Sequence, residues 1–442
     1  MRNYRPILAA LLGALLLAGC SLADDYFGEA EAPPLPGERE AVLEIGRGPV
    51  ADPEISFMPV ALPPMSGGDW PVAGGDPAHS GGHHAWSSSP TLAWQIDAGE
   101  GAEDAARRPL SPPIVADGRV YVLDTELTVH AIDSRSGGVV WSAATAPEDE
   151  DEGFGGGLAT DGQRIYMAGG HAQAVSLNAA DGSEVWRVTL PGPVRSSPAI
   201  AGNLIIIVAA DNSVTALNAA DGRRVWSLPG GAEGAGLLGG ASPAVSGDVV
   251  IAPLSFGDLV VLRAANGREL WRASLAASRR YDFGARLSDF GGLPAVADNV
   301  LYATSIAGRT AALTMRIGNR LWEQRLGGSS SVWVAGDFLF LITDNAELIC
   351  LHRPDGRIRW VQPLPRFEDP DRQRGPLSYE GPVLAGGRLV AVRSNGELLE
   401  FDPETGAGLA SYSIGARTLL PPVVANGTVY TLSEDGTLSA FR

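Results

Sequence analysis

Leu177-Asn-Ala-Ala-Asp-Gly-Ser-Glu-Val-Trp186 returns almost letter for letter as Leu217-Asn-Ala-Ala-Asp-Gly-Arg-Arg-Val-Trp226. The same frame recurs at Ile132…Gly137…Trp141, Leu262…Gly267…Trp271, Leu313…Gly318…Trp322 and Leu351…Gly356…Trp360. A further copy, Phe401…Gly406…Ala410, has lost its Trp. In all seven copies the apolar residue stands nine positions before the Trp position and the glycine four before it. A fixed internal spacing of about 40–50 residues marks a repeat architecture in which each repeat is one supersecondary unit.

A second frame lies upstream of the first. Pro113-Ile-Val-Ala-Asp-Gly118 is matched from Pro198, Pro243, Pro294, Pro382 and Pro422, and each copy leads into an apolar run such as Val120-Tyr121-Val122-Leu123. Proline is tolerated at a strand start because the ladder has not yet begun. Gly or Asn a few residues on supplies a tight turn. Each unit therefore reads as strand, turn, strand, turn, strand, Gly turn, and a last strand carrying Trp. Four strands per unit of this length make a propeller blade.

Closure sets the number of blades. The last unit runs from Pro422 past Tyr430 and stops at Phe441-Arg442, with no Trp strand after it. At the other end Thr91-Leu92-Ala93-Trp94-Gln95-Ile96 is a Trp strand with no Gly turn before it. The N-terminal strand can complete the C-terminal blade and so remove two open edges. The expected fold is all-β: an eight-bladed propeller with docking Trp94, Trp141, Trp186, Trp226, Trp271, Trp322 and Trp360, and a substituted position at Ala410. A large ring on an outer strand packs against the neighbouring blade, so these Trp residues read as structural.

Bulk properties agree. The chain has 442 residues, 45% of them hydrophobic, with 56 Gly and 32 Pro. A formal charge of −18 makes nucleic acid or a bare anionic membrane face a poor partner. Residues 1–20 carry Arg2 and Arg5, then an apolar run to Leu16 that is short for a membrane span, then Leu17-Ala18-Gly19-Cys20. This resembles the bacterial lipobox, which implies a signal peptide over 1–19 and lipidation of Cys20. By the enterobacterial sorting rule, Ser21 rather than Asp after the cysteine implies the outer membrane. Residues 20–68 are Pro-, Ala- and acid-rich and read as a flexible tether, leaving 69–442 as the propeller.

Candidate chemistry is sparse, and neither a cofactor nor a metal site is expected. His79, His83 and His84 precede the first strand without further ligands and read as a solvated loop. The acidic run 148–152 reads as an exposed loop. Asn426-Gly427 reads as a hairpin turn, and Cys350 as a small buried hydrophobe. The Trp frame is also similar to the repeat of pyrroloquinoline-quinone dehydrogenases. A quinone site in that family would bring a pair of adjacent cysteines, and Cys20 and Cys350 are the only two cysteines here.

The lipobox, the tether and the Trp-docked blades together resemble the BamB family, lipoprotein subunits of the β-barrel assembly machinery. The likeness spans roughly 69–442 and is sharpest at Arg286-Leu287-Ser288-Asp289 before Pro294, and at Arg320-Leu321-Trp322-Glu323-Gln324-Arg325. It implies a non-enzymatic scaffold at the periplasmic face of the outer membrane. The implied partners are the POTRA domains of BamA, other Bam subunits and outer-membrane protein clients. The implied contacts are Asp289 and Arg195, with Val194 as the apolar neighbour of the arginine. Gly291 stands where the family carries a second acid. Two other classes stay open on the residues alone: a periplasmic propeller with another ligand-binding role, and a quinone-dependent dehydrogenase relative.

Overall fold

The computed structural model describes residues 48–102, 111–147, 155–231, 240–276 and 290–442. Among them, eight four-stranded antiparallel sheets follow one another along the chain. Seven are simple meanders over 114–144, 156–189, 199–228, 244–274, 295–324, 333–363 and 379–413. The eighth joins both ends: strand Leu92–Asp97 pairs with Thr437–Phe441, in register Trp94↔Ala440 through Asp97↔Thr437. Thr91 and Arg442 extend the seam by exchanging backbone hydrogen bonds of 2.7 and 3.0 Å. The closure expected from the orphan Trp94 strand is the one observed.

The first strands of adjacent blades touch one another, so they line the axis, while the fourth strands form the rim. Rim strands alternate exposed and half-buried residues, whereas the middle strands are buried throughout most of their length. A four-stranded sheet has two apolar faces and cannot cover either alone. The core accordingly lies in layers between neighbours: Ile206 and Val214 of the third blade pack with Val250 and Val260 of the fourth, and Tyr166 of the second with Ile205 and Leu217 of the third. First-to-second-strand turns at Asp117-Gly118, Asp298-Asn299 and Asn426-Gly427 have both central φ angles positive, as tight hairpins of this twist require.

The Trp and Gly positions of the repeat turn out to be one device. Each Trp indole donates to a carbonyl in the third-to-fourth-strand turn of the next blade, over 2.7–3.2 Å, from Trp94 to Ser134 through Trp360 to Pro403. The ring lies flat on that turn's glycine. A Cβ on Gly137, Gly182, Gly222, Gly267, Gly318, Gly356 or Gly406 would stand 2.5–2.9 Å from the preceding blade's indole, and every one of these glycines has φ between 69 and 76°. The loss of Trp at Ala410 then has a cause. The third and fourth strands of the last blade come from opposite chain ends, so there is no turn and no glycine for a ring to cover. Tyr412 meets Phe441 there instead, at 6.3 Å between centroids.

The stretch before Leu92 departs from expectation. The compact body begins at Pro49, not at 69. Ile55 is buried, and the amide of Asp52 donates to Ile358 O (2.7 Å) on the rim of the sixth blade. The buried guanidinium of Arg359 donates to Met58 O and pairs with Glu404, whose carboxylate also accepts from Val60 N (2.7 Å). Residues 66–86 then circle the axis at the end that carries the first-to-second-strand turns. They bond in succession to Asn426, Val115, Thr160, Val245, Val296, Val334 and Leu384, one residue from each of seven first strands or their turns, at 2.6–3.0 Å. Residues 49–68 are therefore part of the body rather than of a tether, anchored to the blades at Asp52, Ile55, Met58, Val60 and Gly68.

Candidate partner-binding face

The opposite end of the ring carries the connections between blades and the second-to-third-strand turns. Arg195 lies in the connection between Glu184–Thr189 and Ala199–Ala201. Its backbone is held on three sides. Val194 N donates to Gly169 O (3.2 Å) in the second blade, Ala210 N donates to Pro193 O (2.8 Å) in the third, and Gly240 N donates to Arg195 O (3.3 Å) from the next connection. Ser197 N donates to the hydroxyl of Ser242 (3.0 Å), tying the start of the third blade to the fourth. Arg195 itself is half-buried, between the exposed Pro193 and the buried Ser196.

Val194 corrects an expectation. It is fully buried, at 0% exposure, and packs with Ile205, Ala209 and Leu217. It offers no surface to a partner; its part is to anchor the loop that presents Arg195. The reason is local: the bridge Val194↔Ala209 turns its side chain into the layer between the second and third blades.

Asp289 lies outside the described residues, as do Arg286–Ser288, Cys20 and the acidic run 148–152. The connection that contains Asp289 leaves the fourth blade at the buried Leu275 and re-enters at the buried Phe290, so it starts and ends on the same face as Arg195, two connections further round the ring. Gly291 explains the missing second acid: a Cβ there would stand 2.7 Å from the backbone of Ser329.

Sequence reasoning missed two features of this face. A separate hairpin, Phe367–Asp369 with Arg374–Pro376, rises from the connection between the sixth and seventh blades. Tyr379 pins its base by donating to Pro365 O (2.7 Å), and exposed Arg366, Glu368, Asp371, Arg372 and Arg374 cover it. The one available signal was the long gap between Trp360 and Pro382. The second feature is Glu380, at the start of the seventh blade's first strand. Burial, and after it the nearby Asp344, push its carboxyl up to about 8.

The histidines differ from expectation too. His79 and His83 are buried and bonded to backbone groups, not solvated. Cys350 is buried as expected, and burial pushes its thiol well above its usual value.

The sequence profile of the family described as outer membrane protein assembly factor BamB matches residues 61–149, 125–362 and 369–442. The chain belongs to the BamB family. It is 31% identical over 357 residues to the outer membrane protein assembly factor BamB of Xanthomonas campestris pv. campestris, covering 79% of this chain and 85% of the relative. To the BamB of Escherichia coli K12 it is 26% identical over 373 residues, covering 79% and 88%. The crystal structure of BamB from Moraxella catarrhalis superposes with a TM-score of 0.67 at 17% identity, over 80% of this chain and all of that one. A quinohemoprotein alcohol dehydrogenase from Comamonas testosteroni superposes with a TM-score of 0.66 at 14% identity, over 88% and 82%. Both structural likenesses speak to the propeller fold alone. Arg195 and the Asp289 connection fall inside the span matched by the BamB family.

Proposed function

We propose that this chain is a lipid-anchored, non-enzymatic scaffold of the machinery that assembles outer-membrane β-barrel proteins, binding the POTRA domains of BamA from the periplasmic side. The observation that carries the reading is family membership across the whole propeller, together with an arginine held by a fixed backbone on the connection-bearing face. Such a residue is suited to be a hot spot, because the loop spends little entropy in presenting it. The connection that contains Asp289 leaves the fourth blade at Leu275 and re-enters at Phe290 on this same face, and the acid would supply the opposite charge. Lipidation at Cys20 holds the body near the membrane, and the acidic surface leaves the anchor, not the propeller, to provide apolar attachment.

The test is native co-purification. The tagged full-length chain is extracted from membranes in mild detergent, and its partners are identified by mass spectrometry. Recovery of BamA in near-stoichiometric amount supports the reading. A preparation that retains the folded propeller but holds no BamA overturns it.

A further inference from the structure

We propose that the rim of the third blade is a docking site for a short acidic segment of a partner protein, bound as the sixth blade binds the chain's own residues 49–60. The sixth blade supplies the template. Its fourth strand has a β-bulge at Arg359: Trp360 pairs with Cys350 and Ile358 with Leu351, so Arg359 has no residue opposite it. A bulge interrupts the ladder and re-aims the extra side chain. The chain's own segment uses both effects. Asp52 N donates to Ile358 O (2.7 Å), and Arg359 donates to Met58 O. Asp52 also closes a turn, accepting Glu54 N on its carboxylate (2.8 Å) and Ile55 N on its carbonyl (3.2 Å). That turn presents two carboxylates to Arg357, Asp52 at 3.5 Å and Glu54 at 3.3 Å. Ala51 packs on the layer that holds Ile358 and Trp322, the indole that the fifth blade lays on this turn.

Arg357 directly follows the glycine of its repeat. In the other repeats an arginine stands there only at Arg223 and Arg268, in the adjacent third and fourth blades. The third blade has the same bulge, with Trp226 paired to Ala216, Arg224 to Leu217, and Val225 left between them. Its cation is doubled, because Arg224 takes the place of Ile358 beside Arg223. Arg223, Arg224 and Arg268 are all exposed, and none of their side chains has a hydrogen bond or ion pair among the described residues. No bond from outside the blade reaches the carbonyl of Arg224 among those residues, whereas the equivalent carbonyl of Ile358 takes the Asp52 amide. The third-blade rim thus offers what the sixth offers, without an occupant.

Charge complementarity decides the occupant. The chain carries 51 acidic and 33 basic residues, so exposed arginines that hold no carboxylate run against its composition. The nearby acids do not cancel them. Asp221 accepts the backbone N–H of Arg223 (3.0 Å), and Asp355 at the same position of the sixth blade pairs with Arg357 (2.8 Å) without keeping it from Asp52 and Glu54. Glu269, beside Arg268, is paired with Arg272 at 3.3 Å. The fitting ligand is a protein segment of the Asp-Pro-Glu kind, with a small residue before the first acid. Downstream it differs from residues 49–60: Val225 replaces Arg359 and donates nothing, and with the exposed Val185 of the second blade it favours an apolar residue after the acids. This rim lies toward the end opposite the Arg195 face, so the inference stands apart from the reading of that face.

A fluorescein-labelled peptide with the sequence of residues 49–60 is the probe, titrated with the full chain and followed by anisotropy. A second peptide carries Asp52→Asn and Glu54→Gln. The acidic peptide is expected to bind, and the neutral one to bind at least about tenfold more weakly. Arg223→Ser with Arg224→Ser in the protein is expected to weaken the acidic peptide by about the same factor. With a benzophenone in place of the Phe57 ring, crosslinks are expected on the rim of the second or third blade. The peptide comparison and the crosslink map use the unaltered chain, so they decide the matter even if the double variant does not fold. No binding up to about 1 mM peptide overturns the proposal. Equal affinity of the two peptides, wild-type affinity in the folded double variant, or crosslinks confined to the sixth blade or to the Arg195 face do so as well.

Discussion

Replacing Gly222 by alanine isolates the contact that locks one blade to the next. Gly222 has φ 70° and lies under the indole of Trp186, with the ring atoms 2.8 Å and Val188 3.0 Å from where a Cβ would stand. Left-handed backbone costs a non-glycine residue roughly 1–2 kcal/mol. Forcing a methyl into a packed contact costs about 1–3 kcal/mol more. The expected loss for Gly222→Ala is therefore about 2–5 kcal/mol. Gly202 provides the control: its φ is 62°, and nothing lies within 4 Å of its added Cβ. Gly202→Ala should cost the backbone term alone, about 1–2 kcal/mol. Urea unfolding followed by circular dichroism measures both, with the m-value checked for constancy. Adding Trp186→Leu should lower the cost of Gly222→Ala toward that of Gly202→Ala, because the nearer obstruction is gone and only Val188 at 3.0 Å is left. Equal losses in the two single variants, or a Gly222→Ala cost that ignores Trp186→Leu, would refute the interlock.

Deleting residues 91–97 removes the fourth strand of the last blade and reopens the ring; melting should fall by at least about 5 °C, and an unchanged melt would argue against the closure. Arg359→Met keeps the apolar stem but loses the bonds to Met58 and Glu404. Because Glu404 is half exposed and can rehydrate, the expected cost is about 1–3 kcal/mol, read as faster proteolytic cleavage within 49–65; an unchanged cleavage rate would count against this anchoring. Cys20→Ala should move the folded protein from membranes to the soluble fraction, and tight membrane association of the folded variant would speak against a lipid anchor.

The blades were legible because each repeat must solve the same packing problem with the same residues. A ring on the rim needs a glycine beneath it, so Trp and Gly recur at constant offsets, and even the exception at Ala410 coincides with the seam where the chain ends meet. The segment 49–86 was not legible. It bonds to one blade at a time with its backbone, so its side chains follow neither a strand nor a helix period, and its Pro and Gly residues look like a tether. His79 and His83 looked solvated for the same reason: the groups that bury them, Pro294 and Gly387, are more than two hundred residues away. On the face that bears the connections between blades, Arg195 could be placed from the Pro198 frame that follows it. The burial of Val194 could not, since it depends on a bridge to Ala209 in a neighbouring turn.

The central claim is that the face bearing the connections between blades binds BamA. Isothermal titration of purified BamA POTRA domains into the full chain, with Arg195→Glu and Asp289→Arg in parallel, tests it most directly. Truncating a desolvated interfacial charge pair costs about 2–5 kcal/mol, so each reversal should weaken binding at least about tenfold. Melting temperatures, measured in parallel, should stay close to wild type, because the backbone hydrogen bonds that fix the loop around Arg195 do not involve its side chain. Wild-type affinity in both variants, with folding intact, would contradict the account and move the interface off this face.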